Sequence, residues 1–162
     1  MFKKLILDNG VRIVIVPQLK AQSLSIMVLV KAGSEYEIKE EMGISHFLEH
    51  LRFEGTKNFP QGEIIEEIER SGGSINATTQ KELVAYYVKL PHYALNQGLR
   101  VLSEMMIFPL LREKDVKNIK PVIKEEIARI SDVPSLKINE LLDGLLYGDQ
   151  PAGWPILGKI ET

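Results

Sequence analysis

The chain has 162 residues, 44% of them apolar and 26% charged, with a formal net charge of −2. That balance suits one ordinary globular domain and offers no basic surface to attract nucleic acid. There is no cysteine, which excludes disulfides and thiolate metal sites and leaves histidine and carboxylate as the available metal ligands.

The N-terminal run "MFKKLILDNGVRIVIV" has the lysines of a secretory leader, but Asp8, Asn9, Gly10 and Arg12 interrupt its apolar stretch and no small-residue cleavage site follows. No window is apolar enough for a membrane helix. The expected location is cytoplasmic. Asn9-Gly10 between two apolar runs predicts an antiparallel hairpin of Leu5–Leu7 with Val11–Val16. "SLSIMVLVKAG" reads as a buried strand, and the acidic "SEYEIKEEMG" as a mobile loop. A helix follows from Ile44 to Phe53, closed by Gly55. "PQGEIIEEIERSGG" is amphipathic, with Ile64, Ile65 and Ile68 on one face and Gly72-Gly73 as its stop.

"SINATTQ" and "LVAYYVKLP" predict two strands, the second rich in residues that suit a pleated surface. Pro91 is expected to open a helix reaching Phe108, with Leu95, Leu99, Leu102 and Met106 as its core stripe. A helical stretch from Glu113 to Ile130 contains Pro121, which either kinks it or starts its second half. "SLKINELLDGLLYGD" predicts one more helix, and the Pro/Gly-rich tail no further element. The expected class is α+β, an antiparallel or mixed sheet with helices packed on one side.

Two of the three histidines stand together in "GISHFLEHLRFEGTKNFP". On a helix His46 and His50 project from one face, so both imidazoles can reach a common Zn²⁺ at about 2.0–2.1 Å. Glu49 reaches the same region, where a base must stand to take a proton from activated water. The order His-x-x-Glu-His is the inverted zinc-protease signature. A catalytic zinc needs a third protein ligand. His92, at a predicted helix start, reads as structural, as does Trp154, so a carboxylate is required. In "PVIKEEIARI" Glu126 lies near the edge of the apolar face and Glu125 faces solvent. Taken alone, the stretch reads more simply as two solvated glutamates.

"HFLEHLRFEGTKNFP", then "GGSINATTQKELVAYYVKLP" and "VIKEEI", resembles the pitrilysin–insulysin–mitochondrial processing peptidase family of zinc endopeptidases. "LDNGVRIVIVP" and "PILG" are similar too, so the resemblance spans essentially the whole chain. It implies that His46, His50 and Glu126, which is 76 residues beyond His50, ligate one zinc per chain, with Glu49 as general base. It further implies that the strand holding Ser74, Asn76, Ala77 and Thr78 offers a free edge to an extended peptide substrate, Asn76 and Ala77 lying near the scissile bond. Phe53 would form an apolar wall near the metal. An edge strand suits that role because its unpaired amides and carbonyls accept any extended backbone. Asn76-Ala77-Thr78 is also a glycosylation sequon, expected to be unused.

Two departures from the family stand out. Its members usually carry an acidic residue seven positions before the third ligand, where this chain has Ile119. They are also built from two or more related domains, each longer than this chain. Residues 1–162 are therefore expected to form a single, incomplete N-terminal domain that completes its site with a second homologous domain or subunit, or as a homo-oligomer. Alone it should bind zinc and hydrolyse peptides weakly or not at all. The rival readings are a non-catalytic assembly subunit of the same fold, against which the intact motif speaks, and a structural zinc site, which usually has four protein ligands including cysteine.

Overall fold

The computed structural model describes residues 1–60 and 62–162; Gln61, which falls in the predicted second helix segment, lies outside them. Strands β1 (Lys3–Ile6) and β2 (Arg12–Ile15) form the expected hairpin, its turn closed by Asn9 accepting from the Val11 amide at 3.1 Å. The hairpin makes its own two-stranded sheet and leaves Leu5, Ile6, Val14 and Ile15 exposed. Strands β3 (Ser23–Val30), β4 (Ser74–Thr79) and β5 (Val84–Pro91) form a second, antiparallel sheet in the order β3-β5-β4. Central β5 is the most buried, with Val84, Tyr86, Val88 and Leu90 facing the core. β3 is not wholly buried. It alternates, with Leu24, Ile26, Val28 and Val30 packed inward while Met27 and Leu29 are 56% and 62% exposed. It is an edge strand, and helices cover only one of its faces.

The helices are α1 (Ile44–Phe53), α2 (Glu63–Glu69), α3 (Leu95–Ile107), α4 (Glu113–Asp132) and α5 (Pro134–Tyr147). The main core joins α2 and α3 to the sheet through Ile64, Ile68, Val101, Leu102 and Met105. Burying each such side chain contributes about 1.5–3 kcal/mol. Ile65 turns outward, and so do Leu95 and Leu99, which were expected in the core stripe. Pro91 ends β5 rather than opening α3, and a 3-10 turn at His92–Ala94 intervenes before the helix. Ala94, Gly98, Val101, Leu102 and Met105 then face the sheet. The approach at Gly98 is close: a Cβ there would stand 2.6 Å from Leu90 Cδ1 and 2.9 Å from Ile26 Cδ1. α4 runs through Pro121 as one helix. Its buried Ile119 and Ile123 meet Leu51 of α1, with Phe47, Leu48, Val116 and Ile127 around them. The family's acidic position is thus filled here by an apolar contact between the two helices.

The acidic segment after β3 is not a free loop. It forms 3-10 turns at Ser34–Tyr36 and Lys39–Glu41, with Ser34 fully buried and Glu37 only 7% exposed. α5 has no buried residue, and Leu141, Leu142, Leu145 and Leu146 all face outward. The tail adds a 3-10 turn at Pro151–Gly153, and the Trp154 indole donates to Asp149 at 2.9 Å. Among the described residues no helix is long and apolar enough to cross a membrane.

Candidate metal centre

α1 begins at Gly43, whose φ of 94° suits glycine, and no side chain of the helix itself caps that end. Glu37 does so from outside. Its two carboxylate oxygens accept from the Gly43 and Ser45 amides at 2.7 and 2.8 Å, satisfying donors that a helix start leaves open. At the other end Arg52 donates to the Met105 and Met106 carbonyls at 2.6 and 3.3 Å, near the end of α3. The same guanidinium lies 5.8 Å from the centre of the Tyr86 ring, and burial pushes the Tyr86 phenol up to about 12. Arg112, just before α4, grips Asp115 at 2.6 and 3.1 Å and donates to the Glu54 carbonyl at 3.2 Å. The first turn of α4 is thereby tied to the residue that follows α1.

With α1 and α4 so placed, His46, His50 and Glu126 converge. The imidazole centroids are 4.6 Å apart with planes at 67°. Glu126 Oε2 lies 3.5 Å from His50 Nε2 and 3.7 Å from His46 Nε2. One ligand atom from each of the three lies within 4.8 Å of the others, and no other such group occurs among the described residues. The separations are too long for hydrogen bonds, which span about 2.7–3.2 Å. They are close to what a cation sets: ligand atoms about 2.0–2.1 Å from a tetrahedral centre stand about 3.3–3.4 Å apart. Two imidazoles and a carboxylate are a donor set that would suit Zn²⁺, as three protein ligands of a four-coordinate ion. Burial, and then the neighbouring His50, push the His46 imidazole below its ordinary pKa, with Glu126 opposing. That favours the neutral ring, the form that ligates a metal. Glu125 is exposed, and exposed His92 is not part of the group.

Glu49 stands beside the three without joining them. Its carboxyl is pushed above the ordinary range by burial, opposed by a hydrogen bond from Thr79. The Thr79 hydroxyl donates to Glu49 Oε2 at 2.5 Å. Sequence reading passed over Thr79, although strand alternation signals it: Ile75, Ala77 and Thr79 share the helix-facing side of β4. Ser74, Asn76 and Thr78 therefore point to the opposite side of the sheet. β4 pairs only with β5, so one of its edges is free among the described residues. The Asn76 side chain folds back to accept the Ala77 amide at 2.8 Å. Phe53, one turn beyond Glu49, packs against the main core.

The comparisons with known proteins agree in kind. The sequence model for the family described as "Insulinase (Peptidase family M16)" matches residues 12–159. An uncharacterized zinc protease of Bacillus subtilis, YmxG, is 40% identical over the whole chain, which covers 40% of that protein. A probable mitochondrial-processing peptidase subunit beta of Arabidopsis thaliana is 32% identical over 96% of the chain, covering 29% of its own length. Among solved structures, a protease from Helicobacter pylori superposes with a TM-score of 0.94 at 29% identity, covering 99% of this chain and 39% of that one. The chain thus spans about 40% of the length of the first curated relative it matches.

Proposed function

The chain belongs to the insulinase family, peptidase family M16, and on that premise we propose that it supplies the metal-binding and proton-transferring part of a zinc endopeptidase. The observation that carries this reading is the convergence of His46, His50 and Glu126 at ligand spacing, with Glu49 beside them. When bound, zinc polarises water and the scissile carbonyl. Glu49 accepts the proton of the attacking water and returns it to the leaving amine. The free edge of β4 takes the substrate as an added strand through the backbone around Ser74, Asn76, Ala77 and Thr78. Asn76 must first release the Ala77 amide that it occupies. Main-chain pairing selects extended or unfolded peptides over folded ones. The greater length of the relatives leads us to assign the rest of the substrate cleft to a second homologous domain or subunit.

Metal analysis and cleavage of an unstructured peptide test the assignment together. One zinc per chain is expected for the unmodified chain and for Glu49→Gln, and none for His46→Ala. Any chelator-sensitive cleavage, alone or with the partner domain, should fall about 10²-fold or more in Glu49→Gln. Zinc retained by His46→Ala, or cleavage undiminished in Glu49→Gln, overturns the assignment.

A further inference from the structure

We infer that Thr79 is a positioning residue that holds the Glu49 carboxylate away from the metal and so keeps the fourth coordination position open. The inference rests on the reading of His46, His50 and Glu126 as ligands. Glu49 follows His46 by three residues and directly precedes His50, within reach of any cation those rings hold. A cation there attracts a second carboxylate strongly. Were Glu49 to bind, the ion would have four protein ligands, the filled arrangement of a structural site rather than a catalytic one.

The fold supplies a counterweight from a different element. Thr79 closes β4 and is paired with Val84 of the central strand, so its backbone is fixed by the sheet. Its branched side chain has few rotamers, and it is only 9% exposed. The hydroxyl donates to Glu49 Oε2 at 2.5 Å, and a hydrogen bond to an ionised acceptor is among the stronger ones. Toward an ionised carboxylate, which can only accept, the threonine hydroxyl is the donor. The carboxylate is therefore held as an acceptor, with its other oxygen left for water. A valine at this position keeps the shape and the strand preference while removing the donor.

Cobalt substituted for zinc reports the open position directly, because azide shifts its visible spectrum only where a coordination site is free. The unmodified chain should show a His46-dependent cobalt spectrum that azide shifts. Thr79→Val should lose the azide shift, and Thr79→Ser should keep it. Adding Glu49→Gln to Thr79→Val should restore it, since the amide is a poor ligand. Circular dichroism establishes that each variant is folded, and Thr79→Ala serves as a second donor-free variant. An azide response in folded Thr79→Val or Thr79→Ala equal to that of the unmodified chain overturns the inference and leaves the ligand assignment standing. A lost response that Glu49→Gln fails to restore also overturns it, since the change would then be general damage to the site. No His46-dependent spectrum in the unmodified chain overturns the ligand assignment and this inference with it.

Discussion

Glu37 serves two amide protons at the start of α1 from six and eight residues away. Removing it leaves those donors in a largely buried place, with an expected loss of about 1–3 kcal/mol. Glu37→Ala should show this as a lower denaturation midpoint with an unchanged slope, and should weaken zinc binding because both imidazoles ride on that helix. The sequence makes such a residue hard to see. His46, Glu49 and His50 are legible because a helix repeats every three to four residues, so chemistry at that spacing announces itself. Glu37 and Thr79 act across chain separations of six to thirty residues, where no local period relates partner to partner. Within "SEYEIKEEMG", Glu37 looks like any of its acidic neighbours.

Among elements, α1, β4 and β5 emerged as their residue patterns suggested, while α3 was legible in extent but not in phase. The buried stripe of α3 runs through Gly98, Val101, Leu102 and Met105, so it shares Leu102 with the leucine stripe but is turned toward the small residue that lets the helix approach the sheet. Gly98, where the helix packs so tightly on the sheet that an added Cβ would meet Leu90 and Ile26, carries no hydrophobic signal at all. The link between α1 and α4 offers a test at this scale. Asp115 is buried, and hydrogen bonds from Arg112 hold its carboxyl below the usual range. A carboxylate depressed in the folded state stabilises above its unfolded pKa of about 3.9. That contribution fades as pH falls through the lower, folded value. Asp115→Asn should therefore be less stable than the unmodified chain near neutrality, with the gap in melting temperature closing as pH drops below about 4. Melting curves across that range check the sign.

For the molecule as a whole, a zinc ion held by His46, His50 and Glu126 would bridge α1 and α4, which otherwise meet through the small cluster around Leu51, Ile119 and Ile123. Mass action then predicts added stability of about 2.7 kcal/mol at a hundredfold excess of zinc over Kd. Calorimetry should show a higher Tm with zinc, reversed by chelator and absent in His50→Ala. The α+β class and the covered face of the sheet could be anticipated from periodicity. The outward leucines of α5 and the exposed hairpin could not, because an apolar residue implies burial without saying by what. Their faces stand open here, on a chain about 40% as long as its first curated relative.

The clasp of Glu37 on α1 carries a consequence for how this region can vary. Connecting segments ordinarily absorb insertions and deletions with little effect. Between Glu37 and Gly43 that freedom is gone, since one residue more or fewer would unseat the carboxylate from the amides it serves and let the helix start drift. Variation in length should be found before Ser34 or beyond Phe53, and substitution alone within.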